Sequence, residues 1–327
     1  MSTKLIKVKH GGNLYQAAQC YNIPIEQWLD LSTGINPRPW QPVEIPQHIW
    51  QRLPEEDDNL LAVAKDYYQT QSLLAVAGSQ EAIQRLPTLR AKGKVGIVSP
   101  CYAEHEYCWR KAGHEVIPIA FDDVELYLSQ LDVLIVINPN NPDTRLIAPD
   151  MLRQWHQVLQ ARQGWLVVDE AFMDATPDFS LLNQAIPDGM IILRSIGKFF
   201  GLAGIRLGFV AANKAVLKPL SEQLNPWHIS HPARWVGALA LADTQWHEDT
   251  RYYLPRQREI LQACLAQAGF DASFATAHFV FIKHPNSALL QHQLAEQGIW
   301  VRLFPQLEAL RFGLAEDITR LSNCLQK

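Results

Sequence analysis

The stretch Arg194-Ser195-Ile196-Gly197-Lys198-Phe199-Phe200-Gly201-Leu202-Ala203-Gly204-Ile205-Arg206-Leu207-Gly208-Phe209 sets one lysine among apolar residues and glycines, with a serine three residues before it and an arginine eight residues after it. Desolvation by Phe199, Phe200 and Leu202 is expected to disfavour the ammonium form and leave more of the free amine that attacks carbonyl carbon. The Ser195 hydroxyl and the Arg206 guanidinium supply hydrogen bonds and positive charge suited to a phosphate. Ser-x-x-Lys also occurs in penicillin-recognising serine enzymes, where the serine is the nucleophile. Those enzymes carry Ser-Asp-Asn and Lys-Thr-Gly elements, and neither occurs in this chain.

Outward from this stretch, short β-branched runs at Val95–Val98, Glu115–Ile119, Val133–Ile137, Trp165–Val168 and Met190–Leu193 read as strands, with helical patterns between several of them. Such a series predicts an α/β fold with a mostly parallel sheet covered on both faces. Ligands of such sheets sit at the carboxyl ends of the strands, so the polar residues that follow each run are the informative ones. They are Ser99-Pro100-Cys101-Tyr102, Asn138-Pro139-Asn140-Asn141-Pro142 and Asp169-Glu170-Ala171-Phe172. Each has a bland alternative when taken alone: Tyr102 as core, Asn-Asn-Pro as a turn, Asp-Glu as solvation of a strand end. Upstream, Leu73–Ala77 leads into Gly78-Ser79-Gln80-Glu81-Ala82. A glycine and a small polar residue at a helix start expose N–H groups that, with the helix dipole, favour an anion. An ordinary N-cap accounts for that segment equally well.

A lysine able to form an imine, beside a phosphate cradle, describes a pyridoxal 5′-phosphate (PLP) site. Ser195-x-x-Lys198 followed by Gly201-x-x-x-x-Arg206-Leu207-Gly208 resembles the lysine segment of the fold-type I PLP enzymes of the aminotransferase class I/II group. On that resemblance the fold is the PLP-dependent transferase fold, with a large domain of mostly parallel sheet and a smaller α+β C-terminal domain. Lys198 carries the cofactor as an imine, and Ser195, Arg206, Gly78, Ser79 and Gln80 hold its phosphate. Tyr102 stacks on the pyridine ring and Asn141 meets the 3′-oxygen. Asp169 pairs with the pyridine nitrogen, where a buried carboxylate keeps that nitrogen protonated and the ring electron-withdrawing. The chain departs from the group's common pattern at three places. Phe172 stands where many members have a tyrosine bonded to the 3′-oxygen, which bears on the imine pKa. Asp143-Thr144 replaces Thr-Gly after Asn-Asn-Pro, and Arg52-Leu53-Pro54 replaces Arg-Tyr-Pro, whose tyrosine reaches the neighbouring subunit.

The chain opens with His10-Gly11-Gly12-Asn13, an amphipathic stretch from Leu14 to Tyr21, and Asp30-Leu31-Ser32-Thr33-Gly34-Ile35-Asn36-Pro37. Its glycines and the Asn-Pro pair read as an irregular arm. His-Gly-Gly-Asn followed by Ser-x-x-Ile-Asn-Pro is also similar to one branch of the group, the threonine-phosphate decarboxylases of cobalamin biosynthesis. That likeness implies an arm closing over the substrate, with His10 and Asn36 near its phosphate.

Past about residue 225 the composition changes. Asn225-Pro226-Trp227-His228-Ile229-Ser230-His231-Pro232 reads as a hinge, and helical patterns follow from Arg234 and from Arg251 to Ala268. Strand-like runs Phe279–Lys283, Ile299–Leu303 and Ala309–Leu314 bracket a helix near 286–297. The expected organisation is an arm at 1–40, a large cofactor domain at 41–225 and a small domain at 226–327. Arg302 and Arg311 each fall in a short apolar strand, where a guanidinium is costly without a carboxylate or phosphate. An internal ion pair satisfies that requirement as well as a ligand does. By resemblance Arg311 holds the substrate α-carboxylate and Arg302 its distal phosphate.

Composition bounds the rest. The 327 residues carry a net charge of −4 and are 48% hydrophobic, enough for about two domains. No Lys/Arg run suggests nucleic acid, and no apolar run is long enough to span a membrane. The first residues, with Lys4, Lys7 and Lys9, lack the apolar core of a secretory signal, so a cytoplasmic setting is expected. Cys20, Cys101, Cys108, Cys264 and Cys324 are odd in number and widely spaced, which suggests reduced thiols and neither a disulfide framework nor a metal site. The resemblance implies a homodimer acting on a small phosphorylated amino acid, by decarboxylation of L-threonine O-3-phosphate to (R)-1-amino-2-propanol O-2-phosphate. A histidinol-phosphate type of aminotransferase uses the same cofactor residues, and a catalytically silent PLP-fold binding protein is the alternative outside enzymes.

Overall fold

The computed structural model describes residues 11–41, 44–55 and 58–326. Its strands are β1 (Leu29–Leu31), β2 (Leu73–Val76), β3 (Lys94–Ser99), β4 (Glu115–Ala120), β5 (Val133–Ile137), β6 (Trp165–Asp169), β7 (Met190–Ser195), β8 (Gly208–Ala212), β9 (Ala275–Thr276), β10 (Phe279–Lys283), β11 (Ile299–Phe304) and β12 (Ala309–Gly313). The described chain falls into two compact units. One holds Trp40–Asn141 and Arg145–His247, and the other holds 11–39, Pro142–Thr144 and 248–326.

The first unit is built on a seven-stranded sheet of order β2-β8-β7-β6-β5-β3-β4. All neighbours from β7 to β4 are parallel, whereas β8 runs antiparallel to β7 and to β2. Every residue of β5, Val133 to Ile137, is buried, as a strand covered on both faces requires. Helices Ser79–Arg85, Glu104–Lys111 and Pro149–Gln160 pack on this sheet. Val76, Ile83, Ile97, Trp109, Ile135, Ile191 and Val210 share one apolar core between them. The strand β8 lies within the lysine segment itself. Its glycine-rich approach conceals it in the sequence, and only pairing with β7 and β2 makes Gly208–Ala212 a strand.

Residues 226–247 belong to this unit. Helix His231–Ala242 starts where Ser230 accepts the N–H of Ala233 and Pro232 fills the first turn, two ordinary start signals. It packs against helix Leu60–Tyr67. Gly237 permits the approach, since a Cβ there would lie 2.2 Å from Leu207 Cδ2.

In the second unit a five-stranded sheet of order β1-β11-β12-β10-β9 is antiparallel apart from the β1–β11 pair. Within the segment read as an irregular arm, Leu29–Leu31 is thus an edge strand, and Leu14–Tyr21 is helical as its pattern predicts. Three residues are too few for a periodic signal, so β1 exists only through its long-range parallel partner.

A buried ionic cluster braces the carboxyl ends of β6 and β7. Arg194, on β7, donates through Nη1 to Glu170 Oε2 at 2.6 Å and through Nη2 to Asp174 Oδ1. Glu170 also accepts from Ser180 Oγ at 2.7 Å and from the Leu181 N–H at 2.9 Å, while Tyr67 Oη donates to Asp174 Oδ1. The Arg194 guanidinium lies 4.7 Å from the centre of the Tyr68 ring. Burial pushes the Glu170 carboxyl up from its ordinary pKa, with Arg194 opposing that shift. Removing the cation therefore strands two buried carboxylates, and we expect Arg194→Met to lower stability by about 3–5 kcal/mol. A Glu170 pKa raised in the folded state means that folding takes up a proton there, so the loss should shrink as the pH falls from neutral into the carboxylate range. Thermal unfolding of wild type and R194M across that range checks both the size and the sign.

Candidate active site

The site residues read from the first unit cluster at the carboxyl ends of β3, β5, β6 and β7. Lys198 follows β7 and is half-buried, with Nζ 5.6 Å from the centre of the Phe172 ring. The sequence reading assigned desolvation of this amine to Phe199, Phe200 and Leu202. Phe199 and Phe200 are fully buried and pack with one another and with Trp246, and Phe172 is a further aromatic ring near the amine.

Asp169, the last residue of β6, is 4% exposed. Its Oδ2 lies 3.0 Å from His105 Nε2 and its Oδ1 accepts the N–H of Ala171 at 3.1 Å. Two fixed hydrogen bonds leave the carboxylate one orientation, as a group meant to face a cation must have. His105 is a residue the sequence reading missed. It lies in the first turn of helix Glu104–Lys111, three positions after Tyr102, and no motif in the sequence singles it out.

Gly78, Ser79, Arg206 and Gly208 form a cradle of backbone and guanidinium. Gly78 has φ +76°, and a Cβ on it would lie 2.7 Å from Arg206 Nη2. A Cβ on Gly208 would lie 2.6 Å from the Ser79 nitrogen. Arg206 itself adopts the left-handed conformation, φ 54°, and donates from Nη1 to Ala203 O at 3.0 Å. Ser195 Oγ accepts the Gly197 N–H at 3.3 Å. Exposed guanidinium, hydroxyl and first-turn N–H groups meeting at two glycines suit a phosphate. Gln80 lies in the same turn, but its carboxamide is committed elsewhere: Nε2 donates to Glu104 Oε2 at 2.9 Å, and Oε1 accepts from Tyr102 Oη at 3.1 Å. What Gln80 can offer an anion is its backbone N–H.

Asn141 is half-buried after β5 on a braced loop. Asn138 spans that loop, donating from Nδ2 to Ile147 O at 3.0 Å and accepting the Ile147 N–H at 2.8 Å. Asn140 donates to Pro100 O at 2.8 Å, which ties the loop to the segment carrying Tyr102.

The remaining site residues lie in the second unit. Arg302 of β11 and Arg311 of β12 are directly opposed in an antiparallel pair, so both side chains rise on one face of the sheet. Arg311 is 6% exposed and donates through Nη2 to Ser32 O at 2.8 Å. Burial, then the like charge of Arg302, pulls its pKa down to about 10. Ser32 also accepts the Gly12 N–H at 2.9 Å and donates to Asp30 Oδ1 at 2.6 Å. A Cβ on Gly11 would lie 3.7 Å from both Arg302 Cδ and Arg311 Nη2. Asn36 is buried, and its Oδ1 accepts the Arg38 N–H at 2.9 Å. His10 lies outside the described residues.

Glycine at 78 is what lets the Arg206 guanidinium reach the helix start, and its positive φ adds strain to any side chain placed there. We expect Gly78→Ala to weaken binding of inorganic phosphate, followed by calorimetry, about tenfold or more. Unchanged affinity would remove Gly78 from the cradle.

Comparison with known proteins places the chain in a family. The model of the aminotransferase class I and II family matches residues 27–321. A threonine-phosphate decarboxylase of Pseudomonas aeruginosa is 48% identical over 95% of this chain and 94% of its own length. One from a Sinorhizobium species is 39% identical over 98% of each. Among solved structures, a histidinol-phosphate aminotransferase of Sinorhizobium meliloti in complex with pyridoxal-5′-phosphate superimposes with a TM-score of 0.83 at 16% identity, covering 99% of this chain and 95% of that one. An L-threonine-O-3-phosphate decarboxylase of Porphyromonas gingivalis gives 0.76 at 18% identity, covering 90% and 97%. At such identities the structures speak for the fold, whereas the family match over most of the sequence decides membership: the chain belongs to the class I and II aminotransferase family.

Proposed function

We propose that the protein is a PLP-dependent enzyme that decarboxylates L-threonine O-3-phosphate to (R)-1-amino-2-propanol O-2-phosphate. The near full-length relatives at 48% and 39% identity support the reaction. The structural observation that carries the substrate class is the opposed Arg302–Arg311 pair. Two guanidinium groups opposed on one face of a sheet offer charged donors suited to two anionic groups. A carboxylate and a phosphate on one small molecule are two such groups.

The residues present fit the cofactor. The Gly78–Gly208 cradle with Arg206, Ser195 and the N–H groups of Ser79 and Gln80 would hold its phosphate, Lys198 its carbonyl carbon, Tyr102 its ring face, Asn141 its 3′-oxygen and Asp169 its ring nitrogen. When bound, PLP supplies an imine-forming carbon and a ring that draws electrons from a bond at the substrate α-carbon. Asp169, oriented by His105 and the Ala171 N–H, holds a proton at the ring nitrogen. Arg311 grips the α-carboxylate, while Arg302, Asn36 and His10 grip the phosphate. Together these grips would fix the rotation of the substrate about its α-carbon and so select the bond to the carboxylate for cleavage, with release of carbon dioxide. Lys198 Nζ is the group we assign to deliver one proton to the α-carbon in place of the departing carboxylate.

We also propose a homodimer with its sites near the subunit interface, a cytoplasmic setting and a place in cobalamin biosynthesis, on the strength of the family likeness. Among the described residues no helix is long and apolar enough to cross a membrane.

With L-threonine O-3-phosphate and no 2-oxo acid, wild type should release carbon dioxide. Lys198→Ala should release none and lose the visible absorbance and borohydride-trapped modification at 198. Arg311→Lys, which cannot offer a planar fork, should raise KM about 10–100-fold. Absence of carbon dioxide together with 2-oxoglutarate-dependent turnover of histidinol phosphate would replace this reading by an aminotransferase, and absence of both by a silent binding protein. Sedimentation of the cofactor-loaded protein at micromolar concentration should show a dimer, and a monomer alone would refute the proposed assembly.

A further inference from the structure

Glu104 is a buried carboxylate that the reaction above does not use. It opens helix Glu104–Lys111. Its Oε2 accepts from Gln80 Nε2 at 2.9 Å and lies 3.9 Å from the Cys108 thiol, a weak donor. Gln80 Oε1 in turn accepts from Tyr102 Oη at 3.1 Å. With its NH₂ taken by the Glu104 acceptor, the Gln80 amide turns its oxygen toward Tyr102, where the phenol donates. Burial, and next the charge of Glu104, hold the Tyr102 phenol above its ordinary pKa, which keeps that donor protonated. The same helical turn carries His105, whose ring meets the Tyr102 ring edge-on at 6.3 Å and whose Nε2 holds Asp169.

We propose that Glu104 is a positioning residue. Through Gln80 it fixes the polarity of a hydrogen-bond chain that sets the plane of the Tyr102 ring relative to the cofactor, and it ties that ring to the helix start of the phosphate cradle. Without Glu104 the Gln80 amide is free to reverse, and the phenol loses its fixed acceptor. This inference rests on the reading of Tyr102 as the residue facing the PLP ring.

The test uses wild type, Glu104→Ala, Glu104→Gln, Tyr102→Phe and the double variant Y102F/E104A. Each apoprotein is titrated with PLP, and visible circular dichroism of the bound cofactor reports its orientation. Glu104→Ala should weaken PLP binding about tenfold, as expected for loss of a hydrogen bond to a charged group, and diminish the dichroism. Glu104→Gln keeps an acceptor at the same place and should recover affinity to within about threefold. In the Tyr102→Phe background, removing Glu104 should change little further, because the phenol through which it acts is gone. An equal effect in both backgrounds, or Glu104→Gln no better than Glu104→Ala, would overturn the proposal, as would unaltered affinity and dichroism in Glu104→Ala. Should Glu104→Ala not fold, Glu104→Leu, which also lacks an acceptor, takes its place with and without Tyr102→Phe, a dichroism change confined to the Tyr102 background being the supporting result and an equal change in both backgrounds or none overturning the proposal. Borohydride trapping on Lys198 in wild type is the control: if it fails, the cofactor reading is at fault and not the role of Glu104.

Discussion

The guanidinium of Arg194, buried between Glu170 and Asp174, fixes how the ends of β6 and β7 meet. Each of its carboxylate partners is one element of the loop that begins at Asp169, and Arg194 itself precedes Ser195 and Lys198. Strand pairing sets the register, with Asp169 opposite Leu193, but pairing alone does not hold the loop beyond it. The ionic cluster does, with Ser180 and the Leu181 N–H donating to Glu170 and Tyr67 donating to Asp174. Burial of three charges is costly, and the opposed charges and these hydrogen bonds offset that cost. The cluster therefore braces the base from which Asp169 and the turn carrying Lys198 extend, the two residues proposed to meet the cofactor's ring nitrogen and carbonyl carbon.

In the second unit the constraint has opposite character. Arg302 and Arg311 face each other on one side of a sheet, and their proximity adds repulsion to desolvation. In the first unit opposite charges meet and serve the fold, whereas here two like charges are set opposite one another on adjacent strands. Ser32, which follows β1, accepts from Arg311 through its carbonyl and from the Gly12 N–H, which precedes β1, through its hydroxyl.

The hydrogen-bond chain from Glu104 to Tyr102 shows why neighbouring residues with similar polarity take different work. Gln80 stands where an anion ligand was expected, yet its side chain is spent on Glu104 and Tyr102 and its backbone alone faces the cradle. Phe199 and Phe200 stand beside the lysine in sequence and line the core, and Phe172 is a further aromatic ring near Nζ.

Much of the fold and the site was legible in the amino-acid order. Buried parallel strands announce themselves as unbroken β-branched runs, and β3, β5, β6, β7 and β10 lie where those runs are, within a residue or two. Lys198, Asp169, Ser195 and Arg206 could be singled out as candidates because local motifs report local chemistry, and the carboxyl ends of parallel strands are where such sheets place ligands. Strands β1 and β8 could not, being short or glycine-led and existing through distant partners. Nor could His105, Glu104 and the Arg194 cluster, since each joins residues far apart in the chain: a separation of 64 between His105 and Asp169 carries no spacing rule. Sequence alone determined which residues bring chemistry. Tertiary structure decided which carboxylate, amide or ring each one meets, because burial and hydrogen-bond partnership are properties of neighbours in space.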